Sequence, residues 1–282
     1  MSFTNVPATP FLKWAGGKAR LLAQYRPHLP ASFGRYFEPF IGGGAVYFDL
    51  ANRGLLRNGA TISDANEDLV NVYRIIQDDV EALVKELLKG PYEYTSSIYY
   101  EIRAWVPEKL PAVKRAARLI FLNRTGFNGL YRTNSKGQFN VPFGRFTNPK
   151  IVDPPLLRSV AKALRGTEIA CRPFEAVLDE ARSGDFVYFD PPYVPLSKSA
   201  FFTSYAKGDF READQRRLGE VVRALLSRGV AVRVSNSDTP LVREIYAGLP
   251  MAQVSAARSI NSKASRRGPI TELLVGASTP SS

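Results

Sequence analysis

The chain has 282 residues, 45% of them hydrophobic, and carries 38 Lys and Arg against 26 Asp and Glu for a net charge of +12. It is long enough to bury a sizeable core, and its cationic excess suits an anionic partner such as nucleic acid. One cysteine, Cys171, and one histidine, His28, leave no intramolecular disulfide and no Cys/His cluster for a metal, which excludes zinc-dependent base deamination and leaves a Ser-His-Asp triad only if His28 supplies it.

In chain order, FLKWAGGK (11–18) comes first, with a Trp, two glycines and two lysines packed more closely than a plain linker requires. Its bland reading is a loop before the helix ARLLAQYRPHL. His28 lies in RPHLP between two prolines, with no nucleophile pattern beside it, and reads as a surface or structural residue. Arg35 to Phe40 (RYFEPF) reads as a short strand, followed by the glycine turn Gly42-Gly43-Gly44 and a helix over AVYFDLANRG. A second strand, Ala60 to Ser63, ends at Asp64, about 20 residues past the first glycine, where Rossmann-like sites place a ribose-binding carboxylate.

From about residue 67 to 166 the strand signals give way to helical patterns, EDLVNVYRIIQ, VEALVKELL and VKRAARLIFLN, which predict an inserted helical domain. Within it, 123–146 (NRTGFNGLYRTNSKGQFNVPFGRF) interleaves aromatics, Gly, Asn and cations, and NSKG supplies a turn between two extended runs: a hairpin or ordered loop. Strand and helix alternation resumes at Thr167 with TEIACR, DFVYFD and VAVRVSN, a helix from Glu212 to Arg228 and a terminal strand ELLVGA. Cys171, at the apolar end of TEIACR, is expected to be a buried, inert thiol. The fold class is therefore α/β, a doubly wound Rossmann-like sheet built from 1–66 and 167–282, with 67–166 inserted. No apolar run approaches the roughly 20 residues a membrane span requires, and the opening MSFTNVPATP lacks a signal-peptide layout, so a cytoplasmic location without a membrane partner is expected. The tail 278–282 reads as frayed.

Two segments carry chemistry. Asp190-Pro191-Pro192-Tyr193 closes the apolar strand FVYF, which places it at the carboxyl edge where doubly wound sheets bind ligands. A conjugated amino group is a poor nucleophile. A site that alkylates one can accept hydrogen bonds from both of its hydrogens, with the Asp190 carboxylate as one acceptor and the Pro191 carbonyl as the other. Two prolines fix φ and preset the carbonyl direction, and Tyr193 can stack on a base. The plain alternative is a strand ending in a tight turn, capped by Asp190 with Tyr193 as core. In the second segment, Glu38 to Gly44, Gly42 and Gly44 let backbone approach a ligand at a helix N-terminus. Phe40 can flank that ligand and Asp64 can accept from ribose hydroxyls, while in the further segment FLKWAGGK Trp14 offers an aromatic face and Lys18 a cation for a carboxylate such as that of a methionine moiety. This set favours S-adenosylmethionine over a dinucleotide; strand-end cap and core aromatic are the bland readings of Asp64 and Phe40.

Taken together, FLKWAGGK, EPFIGGG, the Asp64 strand, the 123–146 segment, DPPY with FFTSYAKGDF, SNSDT and RRGPITELL resemble, in order and spacing, the Dam-type DNA adenine methyltransferases, over about Phe11 to Leu274. The resemblance implies a Rossmann-like methyltransferase sheet with an inserted helical target-recognition domain whose hairpin enters DNA. It also implies S-adenosylmethionine as cofactor, and a cytoplasmic enzyme of bacterial or phage origin acting on double-stranded DNA, with a restriction endonuclease partner left open. The family's cofactor residues match Trp14, Lys18, Asp64 and Asp190. Arg124, Asn128, Arg132, Thr133, Asn134, Ser135, Lys136 and Arg145 are the expected DNA contacts, with Asn134 filling the gap left by an extruded adenine. Hairpins of this family that read GATC typically have Tyr, Leu and Arg where this chain has Thr133, Ser135 and Lys136. A lysine is a point charge where arginine is a planar fork, so GATC is the first expectation and other adenine-containing sites stand beside it. The basic run Arg258 to Arg267 reads equally as a phosphate contact or a solvated loop. Rival readings are transfer to cytosine N4, to RNA or to a protein amide, and a catalytically silent DNA-binding protein. A nicotinamide oxidoreductase shares only the glycine turn.

Overall fold

A computed structural model of the chain describes residues 6–194, 210–256 and 270–277. Seven strands form one sheet: β1 (Tyr36–Pro39), β2 (Ala60–Asp64), β3 (Glu168–Cys171), β4 (Phe186–Phe189), β5 (Ala231–Ser237), β6 (Met251–Ala256) and β7 (Ile270–Val275), in the order β3-β2-β1-β4-β5-β7-β6. β4 pairs in parallel with both β1 and β5, whereas β7 runs antiparallel to β5 and to β6. The expected doubly wound α/β sheet is present, parallel across β1-β4-β5 and antiparallel across β5-β7-β6. All four residues of β4 (FVYF) are fully buried, which is why that strand is a continuous apolar run without alternation.

The chain gathers into two compact units. One comprises 18–40, 56–62 and 173–282 and holds α1 (Leu22–Tyr25), α7 (Val177–Glu180), α8 (Glu212–Ser227) and α9 (Pro240–Ile245). Its core joins Phe37, Val187, Phe189, Val232 and Val234 from the strands to Leu218, Val222 and Leu225 of α8. Each such side chain contributes about 1.5–3 kcal/mol by leaving water.

The other unit comprises 1–17, 41–55 and 63–172 and holds α2 (Ala45–Asn52), α3 (Glu67–Lys89), α4 (Ser96–Ala104), α5 (Ala112–Thr125) and α6 (Pro154–Ala163). The patterns EDLVNVYRIIQ and VEALVKELL are two stretches of α3, kinked at Asp79, which leaves helical geometry at φ −151°. α5 is buried almost all round, through Ala116, Leu119, Ile120, Phe121 and Leu122, and packs on α3. α4 and α6, unforeseen from periodicity, start at side-chain caps: Thr95 accepts from the Ile98 N–H, and Asp153 from the Leu156 N–H ahead of Pro154 and Pro155.

Two further points differ from expectation. Cys171 is exposed; β3 is an edge strand with one neighbour, its end residues Glu168 and Cys171 are both exposed, and the thiol lies 3.8 Å from the Ala65 carbonyl. β6 escaped the sequence reading because MAQVSA lacks a run of β-branched residues. His28 lies in a single 3₁₀ turn, Arg26–His28, and its carbonyl accepts from Arg233 Nε at 2.6 Å. Most of FFTSYAKGDF, the basic run Arg258 to Arg267 and the tail 278–282 lie outside the described residues. Among those described, no helix is long and apolar enough to cross a membrane, and no cluster of His, Cys, Asp and Glu is arranged to hold a metal.

Candidate active site

The DPPY segment leaves the sheet at the carboxyl end of β4, next to the end of parallel β1. Asp190 is held from two sides. Lys18, only 2% exposed, places Nζ 2.7 Å from Asp190 Oδ1 and 2.9 Å from Oδ2. Ser235, fully buried in β5, donates its hydroxyl to Asp190 Oδ1 at 2.6 Å and lies 2.9 Å from the Tyr188 hydroxyl. The sequence reading offered the Lys18 cation to a ligand carboxylate such as that of a methionine moiety; in the structure its ammonium is paired instead with the Asp190 side chain.

Tyr193 is half-buried, its ring centroid 4.6 Å from Lys18 Nζ, so the ammonium covers one face of the ring. Its hydroxyl donates to Glu272 Oε2 at 2.7 Å, and the Tyr25 hydroxyl donates to the same oxygen at 3.1 Å. Burial, and secondarily the Asp190 charge, pushes the Tyr193 phenol well above its ordinary range; burial, and secondarily Glu272, does the same to Tyr25. Both remain neutral donors. Beyond Asp190, Gln215 Nε2 donates to the Pro192 carbonyl at 2.7 Å, and Val194 is held through its N–H by Asn236 and through its carbonyl by Ser237. No described residue donates to the Pro191 carbonyl. Phe40 packs against Phe174, Phe189 and Phe210 with its backbone at φ 82°, an uncommon conformation for a bulky residue.

In the other unit the glycine turn is built around Asp64 and Trp14. Gly42 (φ 45°) and Gly44 (φ 70°) are left-handed, and Gly44 caps α2. A Cβ on Gly42 would lie 2.8 Å from Trp14 Cδ1, and one on Gly44 2.8 Å from the Tyr73 hydroxyl, so both positions need glycine for space as well as for φ. The Gly42 and Asn66 N–H groups donate to the two Asp64 oxygens at 3.2 and 3.0 Å, and Tyr73 donates to the Gly42 carbonyl at 3.0 Å. A carboxylate accepts about four hydrogen bonds, so Asp64 keeps capacity for a ligand hydroxyl. Burial raises its pKa above the usual 3.8 despite these bonds. The Trp14 indole stacks on Tyr131, centroids 5.3 Å apart.

The expected DNA-binding residues differ in setting. Asn123 and Arg124 belong to the last turn of α5: buried Asn123 donates to the carbonyls of Lys13 and Gly129, and half-buried Arg124 donates to the Phe11 carbonyl at 2.6 Å. Strand-like pairing begins at Gly126, opposite Phe143, and recurs at Thr133 opposite Phe139. Asn134 builds the tip: its Oδ1 accepts from the N–H groups of Lys136 and Gln138, and its Nδ2 donates to Gln138 Oε1. Arg132 donates to Asn140 Oδ1 at 2.7 Å. Asn128, at φ 55°, and Ser135, Lys136 and Arg145 are exposed.

Residues 14–260 match the family model of the D12 class N6 adenine-specific DNA methyltransferases. The chain belongs to this family. It is 43% identical over 272 residues to the Type II methyltransferase M1.LlaDCHI of Lactococcus lactis subsp. cremoris, covering 94% of each chain. Identity is also 43% to the Type II methyltransferase M.MjaIII of Methanocaldococcus jannaschii, over 94% of this chain and 98% of that one. To the DNA adenine methylase of Escherichia coli K12 it is 35%, over 94% and 93%.

Several residues that shape the methyltransferase's site carried no role in the sequence reading. Ser235 and Asn236 stand in SNSDT and Glu272 in RRGPITELL, both noted as patterns without a task; Gln215 and Tyr25 had no signal, being ordinary helix residues whose partners are remote in sequence. Tyr131 was visible as one hairpin aromatic among several.

Proposed function

We propose that this adenine-N6 DNA methyltransferase takes S-adenosylmethionine as methyl donor and modifies adenine extruded from duplex DNA, with GATC the first candidate target. The observation that carries the reading is the Asp190 carboxylate, fixed by Lys18 and Ser235 at the carboxyl end of a parallel strand, next to a proline carbonyl to which no described residue donates. Trp14, Gly42, Gly44 and Asp64 suit the donor, since the turn excludes any Cβ and Asp64 retains acceptor capacity for a ribose hydroxyl. When bound, S-adenosylmethionine supplies a methyl group on a sulfonium sulfur.

The chain's part is to make the amino nitrogen nucleophilic. Asp190 and the Pro191 carbonyl accept the two N6 hydrogens and favour a more tetrahedral nitrogen. The bond from N6 to the methyl carbon would form as that carbon's bond to sulfur breaks and the sulfur leaves as a neutral thioether; N6, cationic at that point, releases its proton to the Asp190 carboxylate. Tyr193 contributes the ring face opposite Lys18 to the base, and Lys18 sets the position of both Asp190 and Tyr193. Segment 67–166 is the target-recognition part: Thr133, Ser135 and Lys136 at the hairpin tip read bases, Arg132 and Arg145 meet phosphates, and Asn134 fills the vacated stack. Arg124 contributes by holding the N-terminal segment.

The test is transfer of labelled methyl groups to unmethylated genomic DNA, with modified bases mapped by sequencing. N6-methyladenine in one short motif is the expected product, and Asp190→Ala abolishes turnover. Wild-type kcat in that variant refutes the mechanism.

A further inference from the structure

Two fully buried amides lie beside the apolar core of the unit that holds α8. Gln215 of α8 is 1% exposed and Asn236 of β5 is 0% exposed, next to Leu218, Val222 and Val234. Buried amides are costly unless every polar atom is partnered, and these two are partnered in one order only. Asn236 Oδ1 faces two backbone donors, the Val194 N–H at 3.3 Å and the Ser237 N–H at 2.9 Å, so that side must be the carbonyl. Its Nδ2 is thereby turned to Gln215 Oε1 at 3.0 Å, which in turn directs Gln215 Nε2 onto the Pro192 carbonyl at 2.7 Å.

We propose that Asn236 and Gln215 are positioning residues that aim the Pro191 carbonyl at the target amino group. Rings lock φ at both Pro191 and Pro192, so ψ at these two residues is the soft freedom that turns their carbonyls. Asp190 is anchored on one side by Lys18 and Ser235, and the Pro192 carbonyl is anchored on the other by Gln215; Ser237 holds the Val194 carbonyl at 2.6 Å. Between these anchors the Pro191 carbonyl receives no donor from any described residue. The relay thus occupies the Pro192 carbonyl, while no described residue occupies the one that the reaction needs. This inference rests on the reading of DPPY as the catalytic segment.

The test uses full-length protein carrying Gln215→Glu or Asn236→Asp, both isosteric, with Asp190→Asn alongside. Gln215→Glu places a carboxylate oxygen against the Pro192 carbonyl; Asn236→Asp removes the donor that orients Gln215, so the glutamine amide turns over. Both should lower kcat by about 100-fold, the scale of an ångström's misplacement, with KM for DNA and methyl donor within about twofold of wild type. A buried carboxyl has a raised pKa, so Gln215→Glu should regain kcat as pH falls from about 8 to about 6 and the protonated group donates again, a recovery that wild type does not show. Should Gln215→Glu fail to fold by circular dichroism, the KM-against-kcat split of Asn236→Asp decides. Wild-type kcat in both isosteres while Asp190→Asn is inactive overturns the positioning role alone, as does a loss seen only in KM. Wild-type kcat in Asp190→Asn removes the catalytic reading and this inference with it.

Discussion

Replacing Lys18 with methionine keeps the length of the side chain and removes the charge that lies 2.7 Å from Asp190 Oδ1. Removing one partner of a buried ion pair costs about 3–5 kcal/mol, because the other charge is left in a poorly solvating place. Lys18 is 2% exposed, but the Asp190 side chain is 21% exposed and keeps the Ser235 hydroxyl, so the lower end, about 3 kcal/mol, is expected. At about 2–4 °C per kcal/mol this lowers Tm by roughly 6–12 °C. The attraction is isolated by adding Asp190→Asn, which removes the stranded charge: the double variant should be more stable than the sum of the single losses predicts, with a coupling of about 1.5–3 kcal/mol. Thermal and urea unfolding of the four proteins, without DNA or methyl donor, measures the cycle. Losses that add to within about 0.5 kcal/mol would show that the contact contributes no stability, and the account of Lys18 as the anchor of Asp190 would fail.

Gly42→Ala puts a methyl group 2.8 Å from Trp14 Cδ1 at φ 45°, so the indole must move. In a Trp105→Phe background the fluorescence of Trp14 should shift and methyl-donor affinity should fall; unchanged emission would show that the turn and the indole are not in contact. The raised pKa of Asp64 has a defined sign. The folded chain favours its neutral form, so its contribution to stability is greatest below the ordinary 3.8 and is lost as pH rises through the raised value. Carboxyl NMR should show Asp64 titrating above the chain's ordinary aspartates, and donor affinity should fall on acidification before those aspartates protonate; a resonance at the ordinary position would refute the burial argument.

Local chemistry made much of this protein legible without a structure. The run FVYF is apolar at every residue because β4 is buried on both faces, the glycine turn needs left-handed backbone, and DPPY follows a strand end, so these strands and a candidate ligand edge could be inferred from short windows. Periodicity reports neighbours a few positions apart, and so α3, α5, the hairpin turn and the Asp64 spacing were all within reach. Other features lay beyond any window. Lys18 meets Asp190 across 172 positions, Tyr25 and Tyr193 share Glu272, and Gln215 reaches Pro192 only because α8 packs beside β5. Cys171 looked buried in an apolar stretch until the sheet order placed β3 at the edge. The sequence by itself determined most of the elements and the family. Which carboxylate the buried lysine meets, and which proline carbonyl Gln215 occupies, were decided by tertiary structure, because those depend on which elements become neighbours in the fold.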